Sequence, residues 1–311
     1  MRKRVIVLTT REDMRGKIAN GVRVAKAFYT LGYNVMIMEH GFFDEKKIEQ
    51  ADMILASGSL VYTKNVDGAR IIHGAKRPNV PFVLWYFDAC CPQWKSGKKR
   101  KYGNICKLIP YLDWLITTDH SYPWENHIGN YLHLMQGVDA EDFEERPPSH
   151  GNRQYDVIFA GNASGAHKER KALLTGLKEQ FRVCTFGGDS GQSVYGRSFV
   201  KAHHKAKVVY VPAPPKIIPG PYWSNRIYLA AATGTPCVVG RTRGLSEHYM
   251  ANKEVLYFDN ASDLYRQIRR LLNSSRLRER MGKAARERTL QEHTYINRVE
   301  TLMKGVFHND I

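Results

Sequence analysis

The sequence predicts an α/β protein of two doubly wound parallel-sheet domains facing a cleft. Three observations carry that expectation: a length of 311 residues, strand-like runs alternating with helix-length segments, and one polar break midway. The length is about twice that of a usual domain, which favours two domains. Strands that alternate with helices imply a parallel sheet covered on both faces.

The first half opens with an apolar strand over residues 5–10 (VIVLTT). Residues 21–31 follow with helical spacing through Val22, Ala25, Phe28 and Tyr29. Further strands are expected over 35–39, 53–56, 82–87, 115–118 and 132–135. Residues 82–87 (FVLWYF) are apolar throughout, as a strand buried on both faces should be. Residues 136–155 interrupt the pattern; they are polar, carry Pro147, Pro148 and Gly151, and read as a linker. The alternation then restarts with strand 156–160, helix 168–181, strand 183–186, a helix near 198–206 and strand 208–211. A Pro-rich loop over 212–221 leads to a helix from Ser224, strand 236–240, short helix 245–250 and strand 255–258. Helices over 261–272 and 276–293 and a final segment over 295–307 close the chain. The expected division is a Rossmann-like domain over 1–137, a linker over 138–154 and a second Rossmann-like domain over 155–293. Residues 294–311 form a C-terminal helix expected to pack back on the first domain. Such a pair places a cleft between the domains, a usual location for ligands.

Composition narrows the class. With 43% hydrophobic and 25% charged residues, the chain is neither disordered nor membranous. No apolar run approaches the ~18–20 residues that cross a bilayer. The basic start, Arg2 to Arg4, leads into an apolar run too short for a signal peptide and reads as the lead into a first strand. The five cysteines, with Cys90 and Cys91 adjacent, have neither metal-ligand spacing nor a disulfide framework. Reduced thiols and a cytoplasmic location are therefore expected. The net charge is +17, of which +4 falls in residues 1–150 and +13 in 151–311. A field of that sign attracts nucleic acid, anionic membrane or phosphorylated ligands, and also serves as an ordinary solubilising surface.

Two stretches of the second half suit phosphate. Residues 159–168 (FAGNASGAHK) carry a strand through a small, glycine-containing loop into a helix, where backbone N–H groups bind anions. Gly161 and Asn162 lie in that loop, and His167, Lys168 and Arg170 add positive charge. Neither G-x-G-x-x-G nor a Walker loop is present. Residues 219–240 are more specific. A rigid loop opens a helix with Ser224 as N-cap, followed by Asn225 and by Arg226 in the first turn. Ala230, Ala231 and Ala232 let the helix lie close to the sheet, and Gly234 ends it. Strand 236–240 then runs to Gly244, Leu245, Ser246 and Glu247, a second loop entering a helix. Two helix N-termini in one region suit a diphosphate.

These pieces, in order, resemble the donor domain of GT-B glycosyltransferases, family 4 and its CgeB-like (spore-maturation type) branch. The matching runs are YDVIFAG, SNRIYLAAATGTPCVV, GLSEHY, EVLYFDNASDL and the ending Gln291 to Thr294, about half the chain. In the first half LHLMQGVDAEDF and WYFDACCPQW are similar, more thinly. The resemblance implies transfer of a sugar from a nucleotide sugar, with a UDP-sugar the expected donor. Gly161 and Asn162 would meet the donor phosphates through backbone groups, Arg226 would pair with the diphosphate, and Gly244 to Glu247 would flank the sugar or phosphate. The family's ribose-binding Glu falls on Leu229 here, and the upstream Glu of its E-x7-E pair falls on Pro221, so both carboxylates are missing. Leu229 reads otherwise as a core-facing helix residue. No Asp-x-Asp motif is evident, so no obligatory metal is expected.

On the acceptor side Asp88 ends the buried strand 82–87 and is positioned to deprotonate a hydroxyl. Asp119 and His120 hold the equivalent place after the next strand, as bases or, for Asp119, as a helix N-cap. His40 and His73 read as loop or packing residues. After Asp88, Lys95, Lys98, Lys99, Arg100 and Lys101 put five cations in seven positions between Trp94 and Tyr102. Such a flexible loop matches nucleic-acid binding by charge and stacking, or is simply solvated. The acceptors that follow are DNA bearing hydroxymethylated pyrimidines, by analogy of fold and charge with phage DNA glucosyltransferases, or a polysaccharide, lipid-linked or protein acceptor. A non-catalytic binding protein with a degenerate donor site, or an epimerase of the same fold, would share these features. The basic face also suits an anionic membrane surface.

Overall fold

The computed structural model describes residues 2–10, 20–58, 60–61, 64–90, 97–120, 122–145, 147, 153–163, 168–190, 192–215 and 220–307, without the side chains of 97–100 and 189. The chain divides into two compact units. The first comprises Met1–Gly137, Ile217–Tyr222 and Tyr295–Ile311, and the second Val138–Lys216 and Trp223–Thr294.

The first unit holds β1 (Arg4–Thr9), α1 (Asn20–Thr30), β2 (Asn34–Glu39), α2 (Glu45–Glu49), β3 (Met53–Ala56), α3 (Val66–Ala75), β4 (Phe82–Tyr86), α4 (Gly97–Leu108), β5 (Trp114–Thr117) and β6 (Tyr131–His133). Its six strands are all parallel, in the order β2-β1-β3-β4-β5-β6. Strand side chains alternate between faces. Ile6, Leu8, Leu84 and Tyr86 therefore fill one core layer, and Val5, Val7, Val83 and Trp85 the other. The short helices α2 and α3, for which periodicity gave no signal, are set by their caps. Asp44 accepts the Lys47 N–H at 3.2 Å and Asn65 accepts the Gly68 N–H at 2.7 Å.

The second unit holds β7 (Tyr155–Ala160), α5 (Lys168–Gln180), β8 (Val183–Phe186), α6 (Gly196–His204), β9 (Ala206–Val211), α7 (Arg226–Ala232), β10 (Cys237–Gly240), α8 (Leu245–His248), β11 (Val255–Phe258), α9 (Ala261–Leu272) and α10 (Ser275–Glu292). Its five strands are parallel in the order β11-β10-β9-β7-β8. Asn260 and Ser274 cap α9 and α10 by accepting the N–H groups of Asp263 (3.0 Å) and Leu277 (3.1 Å). Leu264, Ile268 and Leu271, at helical spacing on α9, bury against Val238, Leu256 and Phe258. Each such side chain contributes about 1.5–3 kcal/mol. The last helix, α11 (Tyr295–Phe307), belongs to the first unit, where it packs on α1 and Tyr295 donates its hydroxyl to Asn20 Oδ1 at 2.6 Å.

Two expectations are corrected. The basic segment expected as a flexible loop is helical from Gly97 onward, because Lys and Arg are good helix formers and Ile105 and Leu108 anchor one face in the core. The helix expected from Ser224 starts at Arg226. Asn225 holds the cap position without a side-chain cap bond, while Ser224 Oγ accepts the Arg226 N–H at 3.3 Å.

Candidate donor and acceptor sites

In the second unit the chain steps outward from β7 to β8 in one direction and from β9 to β11 in the other. The switch point thus lies between β7 and β9, where loops leave in opposite directions and open a crevice at the carboxyl ends of the strands. Arg226 stands there. Its Nε donates to Ala160 O at 2.7 Å, and its guanidinium lies 5.6 Å from the centre of the Phe159 ring. Directly beneath is Gly161, with φ +156. A Cβ there would sit 2.5 Å from Nη2 and 2.8 Å from Cζ of Arg226, so only glycine admits the cation at this height. The other end of α7 is clamped. Gly282 of α10 packs on the Gly234 carbonyl with no room for a Cβ, and Arg286 donates to Ala232 O at 2.5 Å and to Phe143 O.

Other expected contacts change role. The Gly161 N–H donates to Phe186 O at 2.8 Å, so it is committed to the fold and does not face a phosphate. The Asn162 carbonyl accepts from Arg170 Nη1 at 2.5 Å; Arg170 is buried and shapes this loop rather than adding exposed charge. Lys168 opens α5 and is exposed, whereas His167 lies outside the described residues. The Asn225 carbonyl accepts the Leu229 N–H at 3.0 Å, and Leu229 itself is half-buried. Gly244, at φ +83, turns the chain into α8. Leu245 is buried, its N–H donates to Thr242 O and its carbonyl accepts from Tyr257, so it is a core residue and not a ligand contact. Ser246 and Glu247 remain exposed. Because α7 has seven residues and α8 four, their dipoles are small. The local positive charge therefore comes from side chains, Arg226 and Arg170 among them.

Sequence reasoning missed a cluster behind Arg226. Trp223 Nε1 donates to the Tyr228 hydroxyl at 2.9 Å, and that hydroxyl lies 3.1 Å from His248 Nδ1. His293 Nε2 meets His248 O at 3.3 Å, and since a carbonyl only accepts, the imidazole carries its proton on Nε2. The His248 ring is 4.9 Å from Trp223 and 5.1 Å from His293. Only the aromatic residues around the helix start hint at this.

In the first unit Asp88 follows β4 and pairs through Oδ2 with Lys101 Nζ at 2.7 Å. Asp119 is no helix cap: it is buried and its Oδ2 accepts the Cys90 N–H at 2.7 Å, tethering the loop after β4. His120 is exposed and stacks on Tyr131 with centroids 5.8 Å apart. His133, 5.2 Å from it, is held below the ordinary histidine pKa by burial and then by His120. His40 lies 3.2 Å from Asn65 Nδ2, and burial lowers its pKa; His73 bonds the Tyr111 carbonyl at 3.1 Å. Tyr102, Tyr122 and His127 form a hydrogen-bonded chain of 2.7 and 2.6 Å beside buried Trp124. Of the cations, Lys95 lies outside the described residues, Lys98, Lys99 and Arg100 occupy the first turn of α4, and Lys101 is half-buried. Among the described residues no three His, Cys, Asp or Glu side chains converge to hold a metal, and no helix is long and apolar enough to cross a membrane.

Two parallel, doubly wound units in one chain define the fold of the GT-B glycosyltransferases. Within it, residues 165–304 match the family described as "Glycosyl transferase-like", so the chain carries a glycosyltransferase-like domain. Solved structures agree on the fold at low identity. An α-glucosyltransferase (AGT) in complex with UDP aligns with a TM-score of 0.71 at 10% identity, over 97% of this chain and 99% of its own. T4 phage BGT in complex with its UDP-glucose substrate gives 0.63 at 10% identity, over 99% and 100%. Anabaena HepE in complex with UDP and glucose gives 0.62 at 14%, over 97% and 100%. No curated protein matches by sequence.

Proposed function

We propose that the protein transfers a glycosyl group from a UDP-sugar to a hydroxyl acceptor, and that it belongs with family 4 and its CgeB-like branch. The observation that carries the reading is the Arg226 guanidinium seated on Gly161 at the switch point of the second sheet. Structures of this fold hold UDP or UDP-glucose, which supports UDP as the nucleotide of the donor. In the reaction the bond from the anomeric carbon to the diphosphate oxygen breaks and its electron pair leaves with UDP. Arg226, with Lys168 near the loop after β7, offsets the charge that grows there. The acceptor oxygen forms the new bond to the anomeric carbon, and its proton passes to the Asp88 carboxylate.

DNA bearing hydroxymethylated pyrimidines is the acceptor we favour. Lys95, Lys98, Lys99, Arg100 and Lys101 put five cations within seven positions, a composition that suits phosphate neutralisation along an anionic strand. Mass spectrometry of hydroxymethylated DNA incubated with UDP-sugars should show one hexose added per modified base. Unmodified DNA mass, together with no DNA retention in a low-salt gel shift, would reject this acceptor. A second reading, a binding protein without turnover, draws on Leu229 and Pro221 standing where the family has carboxylates. It predicts that no nucleoside diphosphate gives heat in calorimetry.

A further inference from the structure

We infer that His248 is a positioning residue of the donor site: through Tyr228 and Trp223 it fixes the first turn of α7, and so the height of Arg226 above Gly161. The inference rests on the donor-site reading above and adds the device that holds it. Three segments of the second unit meet in this cluster. Trp223 precedes α7, Tyr228 lies within it, and His248 ends α8, directly after the exposed Ser246 and Glu247. The indole N–H can only donate, so the Tyr228 oxygen accepts it at 2.9 Å and shares its remaining capacity with His248 Nδ1 at 3.1 Å. Because Trp223 lies three residues before Arg226 and Tyr228 two after, their mutual bond closes a loop around the cation. His248 ties that loop to α8.

Behind His248 the cluster is anchored to the end of α10. His293 donates from Nε2 to the His248 carbonyl, and its ring lies 4.9 Å from that of Tyr228. Tyr249 completes the anchor. The Thr289 hydroxyl donates its one hydrogen to Ala285 O, so Tyr249 must be the donor in its 2.7 Å bond to Thr289 Oγ1. Trp223, Tyr249 and His293 are buried, whereas His248 is half-buried. Polar groups placed in one network hold each other's geometry more firmly than separate pairs do. None of the four side chains needs to touch the donor for its loss to move Arg226.

Two substitutions separate the hydrogen bond from the ring. His248→Phe keeps the aromatic packing and removes the bond to Tyr228, whereas His248→Asn keeps a polar group near the Nδ1 position and loses the ring. UDP binding by calorimetry and steady-state turnover with a UDP-sugar, measured well below each variant's unfolding temperature, should show about tenfold weaker UDP binding and lower kcat in His248→Phe. The KM for the acceptor should stay unchanged, and Asn should recover most of the loss. Equal UDP affinity in wild type and His248→Phe overturns the positioning role. So does a loss in both variants that merely tracks their thermal midpoints. Wild-type protein that binds no UDP would instead remove the donor-site reading and this inference with it.

Discussion

The two sheets share one strand order over their first five strands but carry different chemistry at the carboxyl ends. In the second unit the crevice is floored by glycine and topped by Arg226, a cation held over backbone that no side chain obstructs. In the first, the ends of β4, β5 and β6 carry carboxylates and imidazoles, and both carboxylates are engaged: Asp88 by Lys101 and Asp119 by the Cys90 amide. A fixed cation on a bare floor suits a diphosphate, whereas a carboxylate at a strand end, Asp88, suits taking the proton of a hydroxyl.

Substitutions can break that division of labour. Arg226→Ala should have the largest effect, lowering turnover by about 10²–10³-fold and weakening UDP, with the thermal midpoint within a few degrees of wild type. Arg226→Lys should recover only part, since an ammonium lacks the planar fork. Asp88→Asn should lower turnover by about 10²-fold while UDP affinity, read by calorimetry, stays unchanged. A loss of UDP binding in Asp88→Asn would erase the distinction between the two sites. The smallest effect is on stability against pH. His203 is fully buried and burial drives its pKa down to about 4, so the unfolded chain, with an ordinary histidine near 6.5, binds the extra proton first. His203 therefore contributes full stability above pH 6.5 and loses it as the pH falls towards 4. The thermal midpoint should drop across that window, and less so in a His203→Gln variant.

The sequence made the architecture readable wherever apolar runs were long or bounded by glycine and proline. Strands β3, β8 and β11 lie where 53–56, 183–186 and 255–258 were expected, because each is short, apolar and flanked by turn residues. The start of α4 was misread because Gly97 and a run of cations resemble a solvated loop, and its core contacts at Ile105 and Leu108 come later. Partners were beyond reach. Asp119 before a Ser-Tyr-Pro run looks like a cap, and nothing local announces an amide 29 residues away. The sequence places Gly161 in the loop after β7, but its contacts are not legible there: its N–H bonds β8, and what it offers Arg226 is the absence of a side chain. The Trp223–Tyr228–His248 cluster is likewise a product of three segments converging, with no spacing to betray it.

The central claim is that Gly161 and Arg226 together make the diphosphate seat. UDP titration by calorimetry of wild type, Gly161→Ala and Arg226→Ala tests it most directly. Wild type should bind UDP measurably, Gly161→Ala about tenfold more weakly because the added methyl displaces the guanidinium, and Arg226→Ala more weakly still. Equal UDP affinity in all three proteins would contradict it.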